Sequence, residues 1–142
     1  MTLNQLVAAI QAIGENHAMI KKTFQGTIVD FLSTENLYPA MLFDVTGANI
    51  NGSEQSIDFE MYFFDRIAQD LNNEIEVLSD QLRIAQDVIS EMRDQNNEYE
   101  LSDTIPISFF VDDTGDVLGG VRLDISINLG YISNRCVIPT NE

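Results

Sequence analysis

The sequence has no tryptophan, one cysteine, one histidine and three prolines in 142 residues. A single thiol rules out an internal disulfide, so the fold must stand on packing, for which a chain of this length can supply one core. The one histidine, His17, has no acid or thiol that sequence spacing sets on its own helix face, so the nucleophile–base pair of acyl transfer is missing. No G-x-S-x-G elbow, P-loop or G-x-G-x-x-G occurs either. The chain reads as a non-enzyme without a cofactor. Basic residues are scarce: seven Lys and Arg stand against 23 Asp and Glu, a net charge of −16, and none cluster beyond Lys21-Lys22. That balance argues against binding that works by neutralising phosphates. No apolar run nears the roughly 20 residues of a membrane span. The opening MTLNQLVAAIQAIGENHAMIKK has no basic stretch ahead of its apolar residues, which Asn4, Gln5 and Gln11 interrupt, so it reads as a helix of the mature protein rather than a leader. A soluble chain without a membrane partner is expected, cytoplasmic in the cell that makes it.

What is present is periodicity of two kinds. Leu3, Leu6, Val7, Ile10 and Ile13 lie on one helical face, Thr2 with Gln5 forms a capping box, and Gly14 is a fitting stop, with resumption as far as Lys22 possible. TIVDFLS, residues 27–33, reads as a short strand. MLFDV and SIDFEMYFFD read as a hairpin joined by the polar loop TGANINGSEQ. In its return strand Ile57, Phe59, Met61 and Phe63 face one way, and Ser56, Asp58, Glu60 and Tyr62 the other. From Leu71 to Met92 the period becomes helical: Leu71, Ile75, Leu78, Leu82, Ala85, Ile89 and Met92 form a stripe widened by Val77, Ile84 and Val88, with Asp70 as cap. IPISFFV and VLGGVRLDISINLGY close the chain as a second hairpin, the latter alternating from Val117 to Tyr131 and bent or bulged at Gly119-Gly120. The order predicts one α+β domain over residues 1–142: an antiparallel β-sheet with an N-terminal helix and a long central helix packed on it, and a C-terminal arm at about 132–142.

Cation sites fare poorly. GANINGSEQSID sets Asn49, Asn51 and Gly52 in the relation of a calcium loop, but the first ligand position falls on Gly47 and the last, where Glu is needed, on Asp58. In DDTGD, Asp112, Asp113 and Asp116 cluster oxygens within one turn as a hard cation requires, with turn geometry the favoured reading and a cation the alternative. No metal is expected. Carboxylates such as Asp58, Glu60 and Asp124 read as a solvated strand face, since nothing signals the cleft that acid–base work needs. Tyr38, Tyr62, Phe64, Phe110, Leu118 and Tyr131 fall on nominally polar faces or at element ends, which suits either a subunit interface or cover by further structure.

Three segments taken together, SIDFEMYFFDR, EIEVLSDQLRIAQDVISEMRD and RLDISINLGYISNRCVIPTNE, resemble a small structural protein of tailed bacteriophages, with weaker similarity in GTIVDFLS and LYPAMLFDV. The family is the tail-terminator-like ring proteins of the neck and tail, as in phages that infect Bacteroidetes and in the crAss-like group. The resemblance implies a virion protein of the head–tail connector or tail, assembled in the host cytoplasm. It implies a closed homo-oligomeric ring, on the order of twelve copies with six the alternative. Strands would form the inner wall, portal, neck and tail proteins would be the neighbours, and DNA would pass without specific binding. On that reading Asp58, Glu60 and Asp124 face the channel. Asn49, Asn51, Tyr131, Asn134, Arg135, Cys136, Ile138 and Pro139 form subunit or partner interfaces, with Cys136 a small apolar docking residue rather than a reactive thiol. The rival expectation is a small acidic assembly adaptor or binding module, monomeric or dimeric.

Overall fold

The computed structural model describes residues 2–27, 30–31, 37–68, 73–94, 97–112, 117–129 and 139. Helix α1 (Leu3–Asn16) opens on the expected capping box, in which Thr2 accepts the Gln5 amide N–H (3.3 Å) and the Gln5 side chain accepts that of Thr2 (2.8 Å). It does not stop at Gly14. It runs two residues further to a cap at His17 and does not resume, because residues 18–19 form a turn and β1 (Lys22–Gln25) follows. Gly14 serves close approach instead: a Cβ there would lie 2.5 Å from Thr23 Oγ1 and 2.8 Å from Met41 Sδ, so only glycine lets the helix sit this low on the strands.

The strand expected at residues 27–33 is corrected in the same region. Asp30 and Phe31 are helical, with the Phe31 N–H donating to the Thr27 carbonyl (3.0 Å). The extended segment lies just upstream, as β1, which pairs in parallel with β2 (Ala40–Asn51). The hairpin is tighter than expected. β2 and β3 (Glu54–Arg66) pair as far as Asn51 opposite Glu54, so the polar stretch is strand and the turn is Gly52-Ser53, with Gly52 at φ +64°.

Helix α2 (Glu74–Met92) lies across the sheet with Val77, Gln81, Ile84, Ala85, Val88 and Met92 buried, while Ile75 is 76% exposed. The residues expected to widen the stripe are its centre, because the helix is rotated toward Val77 and Ile84. Leu71 and the proposed cap Asp70 lie outside the described residues. The chain then forms β4 (Glu100–Leu101), β5 (Ile107–Asp112) and β6 (Leu118–Asn128).

The sheet order is β1-β2-β3-β6, and β6 carries β5 and β4 one after the other along its far side. β3 and β6 pair antiparallel without a register shift from Arg66 opposite Leu118 to Ser56 opposite Asn128. The irregularity falls in β2, between Val45 and Gly47, and not at Gly119-Gly120. Those glycines admit neighbours: a Cβ on Gly120 would strike the Phe63 carbonyl, and one on Gly119 the Ile67 side chain.

Both helices cover one face. Leu6 and Ile10 of α1, and Ile84, Ala85, Val88 and Met92 of α2, close over Met41, Phe43, Ile57, Phe59, Met61, Phe63, Val121, Leu123, Ile125 and Ile127. Each such large apolar side chain contributes about 1.5–3 kcal/mol on burial. A second cluster sits on the opposite face, where Phe31, Ala40, Leu42, Phe64 and Leu118 are packed by Phe24, Tyr38, Tyr62 and Phe110. The aromatic residues that suited an interface therefore hold each other, with Phe31 set edge-on to Phe64 (5.2 Å) and Tyr62 to Phe110 (5.7 Å). Tyr131 lies outside the described residues.

Candidate functional site

Beyond the aromatic cluster, the face opposite α1 and α2 is polar, and the ladders set its side chains in rows. Asp44 of β2 stands opposite Glu60 of β3, which stands opposite Asp124 of β6, giving three carboxylates in one line across three strands. The next row holds Asp58 opposite Ser126. Like charges directly opposite one another destabilise a sheet, so the row needs a cation. Arg122, one row along, supplies it: Nη2 donates to Glu60 Oε1 (2.6 Å) and to Asp124 Oδ1 (3.3 Å), and the guanidinium lies over the Tyr62 ring at 5.9 Å. Ser126 Oγ donates to Asp58 Oδ1 (2.8 Å).

The three expected channel residues are thus brought together on one face. They are less freely solvated than the sequence suggested, since Glu60 is only 33% exposed and Asp124 is 56% exposed. Burial first, and then the Glu60 carboxylate, push the Tyr62 phenol above its ordinary value of 10.0, with Arg122 pulling the other way. Tyr62 and Glu60 in turn raise the Arg122 guanidinium. Asp44 escaped the sequence reading, although the alternation of MLFDV puts it on the same face as Leu42.

Asn49 and Asn51 are exposed at the far end of β2, Asn49 in the last row of the hairpin that reaches β6 and Asn51 beyond it. Ile50 between them is 63% exposed. Pro139 is exposed, and Tyr131, Asn134, Arg135, Cys136 and Ile138 lie outside the described residues.

His17 does have an acidic neighbour, contributed by α2 and invisible to local spacing. Nε2 meets Asp87 Oδ2 at 2.9 Å, and Nδ1 accepts the Met19 N–H at 3.1 Å. With Nδ1 occupied by a backbone donor, neutral His17 carries its proton on Nε2 and offers no lone pair to a substrate. The pair ties the end of α1 to α2. Among the described residues, no three His, Cys, Asp or Glu side chains group closely enough to hold a metal ion, and no helix is long and apolar enough to cross a membrane. In the DDTGD turn, Asp113 and Asp116 lie outside the described residues.

No protein-family model matches the chain, and no curated protein matches it in sequence.

Proposed function

We propose that the chain is a structural component of the neck or tail of a tailed bacteriophage, assembling into a closed ring through which DNA passes. The observation that supports this best is the division of the sheet into two unlike faces. Helices α1 and α2 and the main core occupy one, while the other carries Asp44, Asp58, Glu60 and Asp124 beside the aromatic cluster, with Arg122 among these carboxylates and Arg66 over the Tyr38 ring. Copies arranged with the acidic face inward would line a channel with carboxylates and keep α1 and α2 outside. Repulsion from phosphates reaches only about 10 Å at ordinary salt, so such a wall acts on DNA only when the duplex is confined within it, as in packaging or ejection.

The test is the mass of the native assembly, together with peptide mapping of purified particles. A ring-sized mass and presence in particles are expected. A strict monomer or dimer missing from particles would sink the ring and leave the adaptor reading in its place. Isolated rings should also fail to retain DNA at low salt, where attraction to phosphates would be strongest.

A further inference from the structure

The two outer edges of the sheet are complementary to each other. Among the described strands β1 pairs only with β2, and β5 only with β6. Strand directions follow from the ladders: β1 is parallel to β2, and each later step across the sheet to β5 is antiparallel, so β5 runs opposite to β1.

Backbone polarity decides which residues can pair. The Asp124 N–H donates to the Pro106 carbonyl (3.4 Å), so even-numbered residues of β5 turn their backbone groups to β6, and Ile107, Phe109 and Val111 turn theirs outward. In β1, the Gly26 N–H donates to the Phe43 carbonyl (3.0 Å), the alternation that turns Lys22 and Phe24 to β2 and leaves Thr23 and Gln25 facing outward. A side chain already stands in for a missing donor at that edge, for the Gln11 amide donates to the Thr23 carbonyl (3.0 Å).

We infer that β5 of one copy pairs antiparallel with β1 of the next, with Thr23 opposite Val111 and Gln25 opposite Phe109 as the hydrogen-bonded pairs. The intervening close pairs are then Lys22 opposite Asp112 and Phe24 opposite Phe110. Every pair keeps its side chains on a common face, so the sheet continues from copy to copy with its acidic face on one side. Slipping the register by two residues also keeps the faces but loses both the charge match and the aromatic match. Lys21 and Lys22 are the one adjacent basic pair in a chain of net charge −16, and they hold no ion pair among the described residues. Ile107, Phe109 and Val111 are 39%, 56% and 41% exposed, an apolar stripe on the helix-covered side of the edge. The α1 helix of the next copy, held low over its own β1 by Gly14, lies on that same side. Head-to-tail pairing of unlike edges repeats until it closes, whereas β5 against β5 would stop at two copies. The inference rests on the self-assembly in the reading above and not on the particle it serves.

The test is disulfide trapping in the full chain with Cys136→Ser, using Gln25→Cys and Phe109→Cys at two exposed positions. They sit on opposite edges of one sheet, so a bond between them must join two copies. Covalent multimers are expected when both substitutions share one chain, and none with either alone. Lys22→Glu should weaken association roughly two- to fivefold per contact, and adding Asp112→Lys should restore it. A ring-sized assembly without the 25–109 bond overturns this pairing while leaving the ring intact. Self-linking by Phe109→Cys alone also overturns it, and a strict monomer overturns both proposals. Multimers that trap but never close support the pairing and sink the ring.

Discussion

Replacing Gly14 by alanine sets two effects against each other. Inside a helix, alanine is favoured over glycine by about 1 kcal/mol, so propensity alone predicts a more stable protein. The added Cβ, however, would lie 2.5 and 2.7 Å from Thr23 Oγ1 and Cγ2 and 2.8 Å from Met41 Sδ, against the roughly 3.5–4.0 Å at which carbon atoms attract. Thr23 is β-branched and anchored in β1, and Met41 is wholly buried, so neither yields easily. Overpacking of this kind costs about 1–3 kcal/mol. The expected net is a loss of about 1 kcal/mol, and up to about 2, which for a chain of this size lowers Tm by roughly 2–8 °C. Urea and thermal unfolding read the effect directly. Thr23→Ala removes two of the three contacts, so Gly14→Ala made in that background should be neutral or stabilising, a coupling that a double-mutant cycle isolates. If Gly14→Ala alone raises Tm, the helix is not seated on β1 as described.

Four further outcomes are expected. Arg122→Gln leaves the Asp44–Glu60–Asp124 row uncompensated and should lower the urea midpoint, with the loss shrinking as salt is raised and largely recovered by Glu60→Gln in the same chain. Gln81 is 2% exposed with its Oε1 unpartnered, so Gln81→Leu should add about 1 kcal/mol and raise Tm by about 2–4 °C. Gly52 holds φ +64° with open space around it, so Gly52→Ala should cost about 1 kcal/mol through backbone strain alone, seen as a lower urea midpoint. Burial raises the phenols of both Tyr62 and Tyr99 above 10.0. The unfolded chain then loses these protons first, so their contribution is complete below about pH 10 and falls away above it. Tyr62→Phe with Tyr99→Phe should flatten that alkaline loss in urea titrations.

Period was the legible part of the sequence, and close approach the illegible part. The alternation in SIDFEMYFFD and RLDISIN placed Asp58, Glu60 and Asp124 on one face, because a half-buried strand permits only one assignment of faces. The capping box of α1 was equally plain, being a contact between neighbours in sequence. Gly14 misled because a helix stop and a close contact call for the same residue, and only the position of Thr23 distinguishes them. TIVDFLS is apolar enough for a strand, but KTFQ took the edge position beside β2. The rotation of α2 also lay beyond reach, since Ile75 and Val77 are equally apolar and only the seating of the helix on the sheet decides which is covered. Contacts such as His17 with Asp87, 70 residues apart, leave no trace in local pattern.

The β2–β3 hairpin grades stability along a single strand. Between Ser56 and Phe64, β3 has partners on both sides, and Phe59, Met61 and Phe63 are almost completely buried, whereas Gln55 is bonded beyond β2 only through its carbonyl, which accepts the Leu129 N–H (2.9 Å), and Glu54 pairs with β2. Amide hydrogens in the buried stretch should exchange only when the whole chain opens, and those near the turn by local fraying. Exchange rates along β3 therefore form an internal scale. A partner that grips the tip would slow exchange near Asn51 and Glu54 while leaving Phe59 to Phe63 unchanged, and a global stabiliser would slow the buried stretch instead.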